Sequence, residues 1–142
     1  MILVTTSRKP SPRTRSFSRD FARALGAEYL TRGKANLEQV FSLVPEDGVL
    51  VMIKERRGNP SLIEVYRGGE RVLALKLARA MLIRELRYRH GYGRGELASQ
   101  LARALGADPS LVLQRGDSLM LRDGPEFRVE KVISRGVGKG ED

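Results

Sequence analysis

The chain has 142 residues, with 26 Lys and Arg against 17 Asp and Glu, a formal charge of +9 and an isoelectric point near 10.5. That surplus points to a polyanionic partner, because each cation that neutralises a phosphate releases a counterion. The absence of cysteine excludes disulfides, thiol nucleophiles and cysteine-based zinc sites, and no apolar run approaches the roughly 20 residues that span a bilayer.

Hydrophobic residues make up 41% of the chain, enough to bury the core of one domain or of two small halves. The N-terminus lacks the pattern of a secretory signal, so a cytoplasmic location is expected. Nearly all the positive surplus lies in residues 1–34 and 54–94, and 20 of the 26 cations are Arg. Arginine favours planar, bidentate phosphate contacts and stacks on bases.

Met1–Thr6, MILVTT, reads as a buried strand, since four consecutive apolar residues suit a strand covered on both faces. Ser11 is a natural N-cap with Pro12 at the first helical position, where its missing N–H costs nothing. Phe17, Phe21 and Leu25 then recur every four residues as the buried stripe of a helix that Gly26 closes. Arg15, Arg19 and Arg23 keep the same spacing about 200° away and line the solvent face.

EYLT (28–31) is a second strand, and ANLEQVFSLV (35–44) a short helix capped by Asn36, with Leu37, Val40, Phe41 and Val44 inward. VLVMIK (49–54) is the clearest strand, followed by a polar loop, ERRGNP (55–60). Residues 61–77 form a hairpin around Gly68-Gly69, with Ile63/Val65 and Val72/Ala74 on alternating positions. Met81–Leu86 is read as a strand, RYRHGYGRG (87–95) as a basic loop, and ELASQLARALGA (96–107) as a helix ending at Gly106. SLVLQ (110–114) is a strand. LMLR (119–122) and EFRVEKV (126–132) make a hairpin turning at Asp123-Gly124, and the tail, 137–142, is expected to be flexible.

FARALGA (21–27) returns as LARALGA (101–107), at an offset of 80. The same offset lays MILVTT on MLIREL (81–86) and SRKPSP near RYRHGY. The chain therefore reads as a degenerate duplication, with an N-terminal half of about 1–80 and a C-terminal half of about 81–136. The second half has no room for a counterpart of the 36–44 helix. In both halves a basic loop leads from a strand to a helix N-terminus, an edge where α/β sheets bind ligands and exposed N–H groups favour anions.

Catalytic residues are not expected, and no metal or cofactor site is. His90 is the only histidine and no carboxylate lies near it in sequence to orient it. The carboxylates lack metal-ligand spacing, and GYGRGE (91–96) lacks the spacing of a dinucleotide fingerprint. Binding residues are plentiful. Arg8, Lys9, Arg13, Arg15 and Arg19, with Ser11 and Thr14, suit phosphate oxygens. Arg87, Tyr88, Arg89, His90, Tyr92 and Arg94 interleave cations with aromatics, as proteins that stack unpaired bases do. Arg56 and Arg57 add charge beside Gly58.

ILVTTSRKPSPRTRSFSRDFARAL (2–25) resembles the N-terminal signature of the Brix-domain family of ribosome-biogenesis proteins, through Thr5, Thr6, Ser7, Arg8, Pro10, Ser11, Arg13 and Thr14. RGK (32–34), ERRGNP (55–60) in place of the family's H-x-R-G-x-P, and DGPEFRVEKV (123–132) follow in order, and Glu55 stands where many members have histidine. The resemblance implies a single α/β domain over about 1–136, built on a mixed sheet. Its two halves would each look like the anticodon-binding domain of class II aminoacyl-tRNA synthetases, the second lacking a helix. It also implies a non-catalytic factor of minimal archaeal type that binds ribosomal or preribosomal RNA and assists rRNA processing and subunit assembly. Ribosome-assembly proteins are further expected partners; a membrane and a small-molecule substrate are not. The alternatives are a protein–protein scaffold of the preribosome and an RNA-directed enzyme.

Overall fold

In the computed structural model the chain is described over residues 1–85 and 90–134. Its strands are β1 (Ile2–Thr6), β2 (Glu28–Tyr29), β3 (Val49–Arg56), β4 (Asn59–Arg67), β5 (Glu70–Met81), β6 (Val112–Arg115), β7 (Ser118–Leu121) and β8 (Glu126–Ser134). Three α-helices join them: α1 (Pro12–Leu25), α2 (Leu37–Ser42) and α3 (Glu96–Leu105). The strands form one mixed sheet in the order β2-β1-β3-β4-β5-β8-β7-β6. β1 runs parallel to β2 and β3, and the remaining pairs are antiparallel.

Helix α1 starts and stops where its end residues dictate. Ser11 accepts the Thr14 N–H, Pro12 takes the first turn, and Gly26 closes the helix at φ 65°. Its stripe of Phe17, Phe21 and Ala22 is fully buried with Val4, Val51, Ile53, Ile63 and Val65. The helix touches β1 to β4 and also β7, near the far end of the strand order, so the sheet curls around it. Phe127 of β8 closes that curl, its ring 6.0 Å from Phe17 and 6.1 Å from Phe21. Helix α3 adds Ala98, Leu101, Ala102 and Leu105 to the same core, while α2 covers Leu3, Leu50 and Met52 on the opposite face.

The mixed α/β expectation holds, and three local readings change. Leu37 does not face inward: it is 46% exposed, because α2 is short and Val40 is its one fully buried residue. The ERRGNP segment is mostly strand, with a two-residue turn at Arg57-Gly58, both at positive φ (53° and 78°), the geometry of a tight hairpin. The strand expected over 81–86 is not found past Met81 among its described residues, and Leu86 lies outside them. β5 ends at Met81 and Ile83–Glu85 is a 3-10 turn, because the Leu82 N–H bonds the Glu85 carboxylate at 2.8 Å while the Glu85 N–H returns to the Leu82 carbonyl.

The repeated heptads give two helix ends of one geometry. Gly26 (φ 65°, ψ 25°) bonds the Ala22 and Arg23 carbonyls, and Gly106 (φ 66°, ψ 28°) bonds those of Ala102 and Arg103. The strand placed before the second helix by the offset of 80 is replaced by the 82–85 turn.

Candidate nucleic-acid interface

The sheet opens where β4 and β5 part. Their pairing runs from Arg67↔Glu70 to Leu62↔Lys76, and beyond it Asn59–Ser61 and Leu77–Ala80 diverge. On its other side β5 pairs Leu77 with Val129 and then Arg79 with Arg128, so Ala78 is the extra residue of a bulge. The bulge shifts the alternation by one. Leu73, Leu75 and Leu77 face the core before it and Ala80 and Leu82 after it, which turns Arg79 outward.

A groove of about 430 Å³ results, lined by Arg13, Arg56, Arg57, Asn59–Ser61 and Leu77–Ala80. It continues into a second hollow bounded by Arg13, Arg79, Met81, Arg84 and Glu85. Among the described residues, no carboxylate pairs with Arg56, Arg57, Arg79 or Arg84. Arg56, Arg57 and Arg79 around the groove, with Arg84 in the adjoining hollow beside Glu85, make an anion-attracting surface.

Arg13, expected from the sequence to hold phosphate, is instead engaged by the protein. Its guanidinium forks onto Glu85 at 2.8 and 2.9 Å and gives a further bond to the Ala80 carbonyl. That carbonyl lies where β5 has lost β4, so Arg13 supplies the bond a ladder would have made. The Arg13 bond holds the Glu85 carboxyl at about 2 despite partial burial, with help from the Leu82 N–H and Arg84.

The N-terminus of α1 is likewise occupied. Glu55, on β3, accepts the Ser11 N–H at 2.8 Å, and the Ser11 hydroxyl bonds the Gly58 carbonyl at 2.7 Å. Burial pushes the Glu55 carboxyl up, but bonds from the Ser11 N–H and the Thr14 and Ser11 hydroxyls outweigh it and leave it below the ordinary range. The helix end that seemed open to a phosphate therefore holds the protein's own carboxylate. Ser11 and the buried Thr14 serve the cap.

The other expected residues divide between free and engaged. Arg8 and Lys9 are exposed in the β1–α1 loop, and Arg15 is exposed on α1. Arg19 lies over the Tyr29 ring at 5.5 Å. Arg94 and His90 are exposed, and the His90 carbonyl accepts a bond from Arg115. Tyr92 is engaged: Arg115 stacks on its ring at 4.5 Å and its hydroxyl bonds Glu126. Burial, followed by Glu126, pushes that phenol up to about 12. Arg87, Tyr88 and Arg89 lie outside the described residues.

Helix α3 is also closed. Gly95 offers no side-chain cap, and Gln114 of β6 accepts the Ala98 N–H at 2.9 Å. A Cβ at Gly95 would come within 2.2 Å of the Gln114 amide, so glycine is required for that approach.

Arg79 and Arg84 join the site although the sequence did not single them out. The one signal was the broken alternation of LALKLARA (73–80), where leucine spacing gives way to an adjacent apolar pair around Ala78. Arg32 was likewise hidden. It is 7% exposed and bonds the Thr6 and Ala35 carbonyls; burial, then nearby Arg8, lowers its basicity.

No family model matches the chain. It is 49% identical over 72 residues to a Brix domain-containing ribosomal biogenesis protein of Methanothermobacter thermautotrophicus. Proteins of the same description match in Archaeoglobus fulgidus (37% over 73 residues) and Aeropyrum pernix (42% over 66). The fold superposes on the crystal structure of Mil, an archaeal Imp4-like protein, with a TM-score of 0.69 and 25% identity, covering 93% of this chain and 99% of that one. Over about half its length the chain is thus similar to archaeal Brix domain-containing ribosomal biogenesis proteins, and its fold to that of an archaeal Imp4-like protein. A ribosomal biogenesis protein of Aeropyrum pernix gives a TM-score of 0.66, also at 25% identity, over 92% of this chain and 95% of that one. The matched stretches cover 49%, 51% and 44% of this chain and 45%, 46% and 37% of the three Brix-domain sequence relatives, about half of their length.

Proposed function

We propose that this chain is a Brix-domain protein and a non-catalytic RNA-binding factor of ribosome biogenesis, acting in the cytoplasm on ribosomal or preribosomal RNA to assist rRNA processing and subunit assembly. The observation that carries the reading is the groove between β4 and β5, lined by Arg56, Arg57 and Arg79, which have no ion pair among the described residues, with Arg84 in the adjoining hollow. Arg8, Lys9 and Arg15 extend the charge along the β1–α1 loop and α1. Guanidinium groups on turns and a strand end suit a phosphate backbone more than a base sequence, so RNA shape is what this surface would read. Among the described residues no group of three or more His, Cys, Asp or Glu could hold a metal ion, and no helix is long and apolar enough to cross a membrane. The matched helix ends at Gly26 and Gly106 support the two-halves reading of the fold, while a likeness of each half to anticodon-binding domains follows from the Brix resemblance alone.

The test is affinity for structured ribosomal RNA, single-stranded RNA and duplex DNA across a salt series, parent beside an R56Q/R57Q/R84Q variant. The expected result is preference for structured RNA and a salt slope lowered by about 0.7–0.9 per lost contact. Weak, unselective binding that the variant leaves unchanged would overturn it.

A scaffold reading has one observation behind it. Leu37 and Leu43 are exposed on and after α2, beside an apolar hollow of about 280 Å³ lined by Phe41, Val44, Pro45, Leu50 and Tyr66. Retention of assembly proteins by a chain that holds no RNA would favour it.

A further inference from the structure

The sheet face beyond the groove carries an arrangement that folding alone does not explain. The bulge at Ala78 sets Arg79 of β5 directly opposite Arg128 of β8, and both side chains are exposed. Cross-strand partners lie about 5 Å apart at Cβ, and like charges so placed oppose pairing. No ion pair relieves them, although Glu126 lines the same cavity. The carboxylates flanking Arg128 on its own face of β8 are both engaged, Glu130 with Lys76 at 3.1 Å and Glu126 with the Tyr92 hydroxyl and Arg115. Neither Arg79 nor Arg128 has an ion pair among the described residues. The two arginines border one cavity of about 210 Å³, which Arg115, Ser118, Glu126 and Phe127 complete, and Arg79 also lines the groove on the other side of β5.

We infer that Arg79 and Arg128 form a two-arginine seat for one phosphate group. A phosphate between the two guanidinium groups would offset their repulsion and take charge-assisted bonds from both sides. The seat rests on the RNA reading above and extends it: a phosphodiester backbone leaving the groove at Arg79 crosses β5 and sets its next contact against Arg128. Without the bulge Arg79 would point into the core, so the seat exists only because the strand changes phase there.

The experiment separates the seat from the RNA reading by using a polyanion without bases. Thermal melting of the full chain is followed with and without tripolyphosphate for the parent, R79Q, R128Q and the double variant, with R103Q as a charge-matched control on α3. Tripolyphosphate is expected to raise the parent and R103Q melting temperatures alike. Each single variant should bind it about tenfold more weakly, and the double no worse than either single, because the two side chains serve one group. Without ligand, R79Q and R128Q are expected to melt at or above the parent, since a repulsion has gone. No protection of the parent, undiminished protection of either variant, or lower ligand-free melting of both would overturn the seat. Parallel RNA titrations should show R128Q lowering affinity about tenfold and the salt slope by about one. RNA affinity unchanged in R128Q while tripolyphosphate protection is lost would keep the seat and remove RNA as its occupant.

Discussion

Arg13 and Glu85 stand 72 positions apart and meet through two bonds of 2.8 and 2.9 Å. They pin the start of α1 to the turn that follows β5. The cation nearest the middle of the basic signature thus has its charge balanced inside the protein, and the neighbouring Arg56, Arg57, Arg79 and Arg84 present theirs outward.

The pair makes stability acid-sensitive in a defined window. Glu85 titrates at about 2 in the folded chain, below an ordinary value near 4.3, so its contribution is complete above about pH 4.5 and is lost as pH falls towards 2. Both side chains are about one-third exposed, and solvent screening limits the contribution to about 1 kcal/mol. E85Q should lose that amount at pH 7 and show a shallower loss between pH 4.5 and 2, measured by urea unfolding at each pH. An unchanged acid limb would contradict the pairing.

Glu55 holds the first N–H of the α1 cap, and E55A should cost about 1 kcal/mol in the same unfolding assay. Because the folded Glu55 carboxyl lies below its ordinary range, that part of the stability too is present at neutral pH and fades in acid. E55A should leave RNA affinity equal or higher, since it removes a negative charge from the α1 N-terminus beside the basic loop.

Arg57 separates stability from binding. It sits at φ 53° in the β3–β4 turn, a conformation that favours glycine, and its guanidinium lines the groove. R57G should raise stability by about 0.5–1 kcal/mol while weakening RNA binding and lowering its salt slope. Loss of stability without change in binding would reverse the assignment.

Phe127 ties β8 to helix α1 through the rings of Phe17 and Phe21. F127A should cost about 3–5 kcal/mol, read from the denaturant midpoint. F127L should recover most of it, because leucine still fills the space between helix and sheet.

By itself the sequence determined the elements whose causes are local. The Ser11-Pro12 start, the Phe17/Phe21 stripe, the Gly26 and Gly106 stops and the Gly68-Gly69 turn can be read within a few residues, since capping, periodicity and turn geometry act at that range. It also located the basic segments and the resemblance to Brix-domain proteins. Only the tertiary structure decided which cations are free. Arg13 is balanced by Glu85, the α1 N-terminus is filled by Glu55, and Tyr92 is taken by Arg115 and Glu126. Each partner lies at least 23 residues away along the chain. Arg79 was lost to view because a single bulge reverses the faces of β5. Electrostatic neutralisation and strand phase are set by neighbours in space, and neither leaves a local mark in the sequence that is strong enough to read.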